Sequence, residues 1–242
     1  MKKGFSIAAA SCLSFSLLFA SCGPPLDNGK KVSQNMDVTG FHAIDVSAPV
    51  TCNINIQPGS TPSVQFSGSE SLIKMIRVKV EDGTLDIYSS DDFHIDWNDQ
   101  VTATITLPSL TALDISGAGS TTVTGDITGN DFKLDISGVG KVTIPNINVT
   151  ELTADVSGAG KVNLVSGTVQ NGHYDLSGTG AIDAFGVQHT DATASVSGAG
   201  YIHLSVSDKL NADVSGVGSV RYKGHPNVTS DNSGVGSVTA EN

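Results

Sequence analysis

One seven-residue phrase recurs down the C-terminal half of the chain, and its spacing restricts the fold more than any other feature. It reads DISGAGS from Asp114, DISGVGK from Asp135, DVSGAGK from Asp155, DLSGTGA from Asp175, SVSGAGY from Ser195, DVSGVGS from Asp213 and DNSGVGS from Asp231. Successive starts lie 21, 20, 20, 20, 18 and 18 residues apart. A fixed glycine pair at such a period marks a solenoid, in which a repeat buries its apolar side only by stacking on its neighbours.

The polarity inside each repeat identifies the element that stacks. Leu152, Ala154 and Val156 alternate with Thr153, Asp155 and Ser157, and beyond the glycines Val162 and Leu164 alternate with Lys161 and Asn163. Both runs have period two, so both are strands with one buried face. The same offsets hold Leu134 and Ile136 followed by Val142 and Ile144, and Ala194 and Val196 followed by Ile202 and Leu204. Two strands, a Gly-x-Gly corner and a third short segment fill a coil of about 20 residues. Stacked in register, such coils form an all-β, single-stranded parallel β-helix, right-handed because parallel crossovers are.

The corner glycines are Gly117 and Gly119, Gly138 and Gly140, Gly158 and Gly160, Gly178 and Gly180, Gly198 and Gly200, Gly216 and Gly218, and Gly234 and Gly236. A recurrent glycine marks either positive φ or a close approach of backbone. The expectation is positive φ at one glycine of each pair.

Residues 36–110 repeat less clearly but are also strand-like. Val46 to Ile56 and Val101 to Leu107 alternate, and Arg77 to Ile87 reads as two strands around Asp82-Gly83, a hairpin signal. Ser69 to Ile76 has room for one helical turn or a short helix. This region is expected to supply irregular first coils and a cap, continuous with the regular repeats of residues 111–242.

The N-terminus reads as an export signal. Met1-Lys2-Lys3 is basic, Gly4 to Ala20 is mostly apolar, and Ala20-Ser21 sets small residues before Cys22. The order resembles a bacterial lipobox, which makes residues 1–22 a lipoprotein signal region and implies a cut just before Cys22 with acylation of its thiol. Phe19 stands where lipoboxes usually carry Leu, and Cys12 is a rival behind a shorter apolar run. Residues 23–35, Pro/Gly-rich and polar at their start, read as a tether. Cys52, the one cysteine left for the folded body, falls on the apolar side of a strand and reads as a buried, inert thiol.

Charge excludes one class of partner. The chain carries −11, and loss of Lys2 and Lys3 with the signal makes that −13. Without a basic run beyond Lys30-Lys31 it is no nucleic-acid binder, and its attachment to a membrane falls to the lipid.

Several phrases, taken in order, resemble one family. Phe41 to Val46, the Gly83-Thr84-Leu85 turn, and Thr106 to Gly117 (TLPSLTALDISG) are similar to the GIN-domain family of auto-transporter adhesin heads, which includes lipoproteins of Gram-negative bacteria. The likeness runs from about Phe41 to the C-terminus. It implies a right-handed β-helix outside the cytoplasm, anchored at the outer membrane and facing either the surface or the periplasm, and no catalytic residues.

Asp114, Asp135, Asp155, Asp175, Asp213 and Asp231 share one repeat position, and Ser116, Ser137, Ser157, Ser177, Ser197, Ser215 and Ser233 another. Both alternate with buried positions, so both form outward ladders, in which neighbouring carboxylates repel by roughly 0.9 kcal/mol in water. Local hydrogen bonds from the serines or the corner N–H groups are the expected compensation. A row of Ca²⁺ sites is the sharper alternative, but one Asp per coil is a poor cage and the G-G-x-G-x-D phrase is missing. No cofactor is expected.

Lys141, Lys161 and Tyr201 follow the second glycine of their corners and are expected along one edge. Trp97, close to Asp91, Asp92, Asp96 and Asp99, is a further candidate for a carbohydrate contact. No Gly-x-Ser-x-Gly, HExxH or phosphate-cradling motif occurs, and the six histidines lack ligand spacing. The reading is therefore a non-enzymatic binding module for glycans or surface proteins, with an envelope scaffold as the alternative and a polysaccharide-active enzyme ranked behind both. The last coil is polar at its inward positions Ser230 and Asn232, which favours a monomer over end-to-end pairing.

Overall fold

The computed structural model describes residues 30–89 and 100–241, so Cys22 and the stretch around Trp97 lie outside the described residues. The chain opens with β1 (Lys31–Met36), β2 (Ala43–Val46), β3 (Thr51–Ile56), β4 (Ser63–Ser69), the single turn α1 (Glu70–Ile73), β5 (Ile76–Glu81), β6 (Thr84–Ser89) and β7 (Thr102–Leu107). The regular coils follow as β8 (Ala112–Ile115), β9 (Ala118–Thr124), β10 (Asp126–Ile136), β11 (Val139–Ile144), β12 (Asn146–Val156) and β13 (Ala159–Leu164). They end in β14 (Gly167–Leu176), β15 (Ala181–Val196), β16 (Ala199–Val214), β17 (Val217–Lys223), β18 (Asn227–Asn232) and β19 (Ser237–Ala240).

The coils stack in parallel register into a β-helix. The first face runs β6, β2, β8, then the ends of β10, β12, β14, β15 and β16, and finally β18. The second runs β7, β3, β9, β11, β13, β15, β16, β17 and β19. A third is built from the starts of β10, β12 and β14 with the middle of β15. Leu134, Ile136, Val142, Ile144, Ile147 and Leu152 from the three faces meet in one continuous core.

The N-terminal coils stack out of chain order. The coil of β2 and β3 lies between that of β6 and β7 and that of β8 and β9. Antiparallel strands then cover the exposed end, with β5 pairing β6, β4 pairing β7, and β1 pairing β4. The hairpin turn is made by Asp82 (φ 49°) and Gly83 (φ 77°), as the Asp-Gly pair predicts. Strand β1 takes into this cap Lys31 to Asn35, which composition groups with the tether. In α1, Glu70 receives Lys30 and Lys74, both at 2.8 Å, which hold its carboxyl down at about 2.

The expectation of positive φ at the corners is corrected. No corner glycine from Gly138 onward has positive φ, and Gly119, at 158°, is close to extended. Close approach is the reason instead. A Cβ on Gly158 would lie 2.1 Å from the Gly138 carbonyl oxygen and 2.5 Å from that of Ser137. The same contact recurs coil on coil from Gly138 onward, Gly160 excepted, where a Cβ would meet the Ile136 side chain first; Gly117 and Gly119 leave room for the carbonyls of Ala48 and Val50. The pair repeats because the backbones of successive coils come too close at this corner for a side chain.

Candidate functional site

The repeat aspartates form a ladder longer than the repeats themselves. Its rungs in register are Asp86, Asp45, Asp114, Asp135, Asp155, Asp175, Ser195, Asp213 and Asp231. Asp45 and Asp86 lie in the irregular half, and the Ile-Asp-Val and Leu-Asp-Ile phrases there are the signal that could have found them. Coils rise roughly 4.8 Å each, so the carboxylates stand close enough to repel along the whole face.

The expected local compensation is not what the structure shows. Among the described residues no repeat serine or corner N–H bonds a ladder carboxylate. The corner N–H groups instead serve the ladder of the main chain. Ser157 and Gly158 both donate to the Ile136 carbonyl, at 2.9 and 3.2 Å, and Ser137 and Gly138 both donate to that of Ile115. Cations meet only parts of the row: Lys133 lies 2.7 Å from Asp135, and Lys79 lies 3.0 Å from Asp86. Partial burial, then repulsion from Asp45 and Asp135, raise the carboxyl of Asp114 above its ordinary value. Burial and Asp135 raise that of Asp155, and burial and Asp86 raise that of Asp45. Among the described residues no three His, Cys, Asp or Glu side chains stand where they could hold a metal ion together.

On the second face Lys141 and Lys161 are adjacent rungs, while Ala181 stands between Lys161 and Tyr201. The three share a ladder, but Tyr201 is separated from the lysines by one coil. Cys52 is fully buried, and burial pushes its thiol up to about 12.

A second constellation lies where coils of 20 residues give way to coils of 18. Ala184 stands opposite Leu204 and the next rung is Gln188 opposite Ser205, so Phe185, Gly186 and Val187 have no counterpart. His189 then stands opposite Val206 and Asp191 opposite Lys209, which sets Ser207 and Asp208 against Thr190 alone. Three residues lost and one gained account for the shorter repeat. Bulges of this kind collect at functional sites.

The seam gathers the irregular chemistry of the molecule. Phe185 stacks on His203 and His203 on Tyr201, each with 4.4 Å between ring centres, and the Lys223 ammonium lies 4.5 Å from the centre of the Phe185 ring. Inside the coil, buried His189 donates from Nδ1 to the Ser205 carbonyl at 2.9 Å. Its Nε2 therefore accepts from the Tyr174 hydroxyl, at 2.6 Å. Burial holds the imidazole below its ordinary pKa and so neutral. Gly172 makes the room, since a Cβ there would lie 2.7 Å from the Tyr174 ring. Two grooves flank the corner that carries Thr150, Gln170 and Thr190. One of about 460 Å³ includes Thr168, Gln188 and Ser207, and one of about 270 Å³ includes Glu151, Asn171, Asp191 and Lys209. Sequence reasoning missed this site, although the fall in repeat length marks its position.

The family model described as "Putative auto-transporter adhesin, head GIN domain" matches residues 40–226. No protein with a curated description matches the chain. Among solved structures, a Bacteroides fragilis protein described as a "putative adhesin" is 26% identical, with a TM-score of 0.85 over 89% of this chain and 99% of its own. A "putative adhesin" of Parabacteroides distasonis, 22% identical with a TM-score of 0.70, covers 89% of this chain and 98% of its own. A "putative lipid binding protein" of the same species, 21% identical with a TM-score of 0.69, has the same coverage. These last two share the fold.

Proposed function

Because the chain belongs to the GIN-domain family of auto-transporter adhesin heads, we propose that it is an envelope-anchored binding module whose first face, with its aspartate ladder, is the contact surface. The observation that carries this reading is the ladder's lack of local compensation. Eight carboxylates in nine rungs face solvent, and among the described residues two lysines pair with them. Such a row opposes folding, and features that oppose folding belong to binding more often than to architecture. The description of the family as adhesin heads supports a binding role.

The partner is an extended glycan or surface protein that makes many weak contacts along the stack. Attachment is through a lipid on Cys22. Among the described residues no helix is long and apolar enough to cross a membrane.

Binding of the mature protein to bacterial and host-cell surfaces tests the assignment. Replacing Asp114, Asp135, Asp155 and Asp175 together with Asn should weaken retention at least tenfold, and added salt should weaken the unaltered protein's binding. Retention indifferent to both would overturn it.

A further inference from the structure

We propose that the smaller groove at the seam is a carbohydrate site that holds one sugar ring through its hydroxyl groups, an inference that rests on the reading of the chain as a binding module. Four successive rungs line it: Glu151, Asn171, Asp191 and Lys209. Asn171 donates from Nδ2 to Glu151 Oε1 at 2.5 Å, which fixes both planar groups. The amide retains its oxygen and a second N–H for a ligand. His173 adds an imidazole 3.7 Å from the other Glu151 oxygen.

The observation that points to a ligand is Asp191. Its Oδ1 is shut off from solvent and has no hydrogen-bond partner among the described residues. Lys209 stands opposite Asp191 in register, yet the two form no ion pair among the described residues. A carboxylate oxygen in this position has given up water without gaining a donor. A hydroxyl arriving in the groove supplies one, and the soft terminal torsion of aspartate lets the oxygen turn to meet it.

The donor set selects the ligand class. Carboxylate, amide, imidazole and ammonium groups together accept from and donate to neighbouring groups, as vicinal hydroxyls require. Two carboxylates against one lysine disfavour phosphate and other anions. The volume, about 270 Å³, lies just below the ~300–1,000 Å³ of sites for drug-sized molecules and suits a single ring. The acidic ladder breaks beside it, where Ser195, two residues along the strand from Thr193 of the groove wall, stands in place of an aspartate.

The test is the mature protein on an array of neutral and amino-sugar oligosaccharides, with titration of the strongest ligand in solution. Asp191→Asn and Asn171→Ala should each weaken that binding about tenfold, the effect of losing one hydrogen bond to a fixed polar group. Thr122→Ala, exposed on the second face, should leave it unchanged, Lys209→Gln should weaken it, and melting temperatures should show that all four variants fold. Array binding that is equal in wild type, Asp191→Asn and Lys209→Gln would overturn the site. A blank array from protein that still attaches to cells would overturn the sugar assignment and leave the adhesin reading standing. Loss of both activities in the unaltered protein would overturn both.

Discussion

Asp114→Asn should stabilise the protein at neutral pH. Asp114 stands between Asp45 and Asp135 in register, roughly 4.8 Å from each along the stack. In water each neighbour repels it by about 0.9 kcal/mol, and partial burial adds to that while Lys133, held by Asp135, subtracts from it. Asparagine keeps the shape and removes the charge, so the gain is about 1 kcal/mol, or about 2–4 °C for a domain of this size. The sign with pH follows from the direction of the shift. The folded-state pKa lies above the unfolded one, so the carboxylate opposes folding at neutral pH, and that opposition fades as pH falls through the folded value. Denaturant melts of both proteins should therefore differ at pH 7, converge below about pH 4, and differ less in high salt. A variant less stable than wild type at pH 7 would show that Asp114 has a favourable partner and would refute the reasoning.

Gly158→Val sets a side chain against two backbone carbonyls and should cost about 3 kcal/mol or prevent folding, read by denaturant midpoint; a loss below 1 kcal/mol would mean the corner yields. Cys22→Ala should release the protein from the membrane fraction and abolish labelling by a fatty-acid analogue, and persistent labelling would place the lipid elsewhere. Millimolar Ca²⁺ should leave the melting temperature where a chelator leaves it. An ion at about 100 times its dissociation constant would instead add roughly 2.7 kcal/mol and raise it by several degrees.

The solenoid was legible because its coils touch through glycine, and a contact that tolerates one residue prints itself on every repeat. The alternation around Asp155 likewise gave the inward and outward sides, and Asp82-Gly83 gave the hairpin. The order of the first coils was not legible, since the phrases around Asp45 and Asp86 say which face they join but not which coil lies outermost. That order depends on antiparallel pairing of β4 and β5 over the end, a contact between distant segments. The shared offset of Lys141, Lys161 and Tyr201 predicts one edge, and Ala181 at the same offset is what parts them. The partners of the aspartates were not legible, because the sequence shows corner N–H groups but not that the neighbouring coil's carbonyls already take them. The chemistry of the seam was not legible, because Tyr174 and His189 come from different strands and meet only across the interior.

Hydrogen exchange of the mature protein, alone and bound to the cell surface or glycan that retains it, tests the central claim most directly. Protection should rise along the first face, at residues 112–115, 133–136, 153–156 and 173–176, with the second face unchanged. Protection confined to residues 141–144 and 161–164 would place the contact on the lysine face and contradict the account.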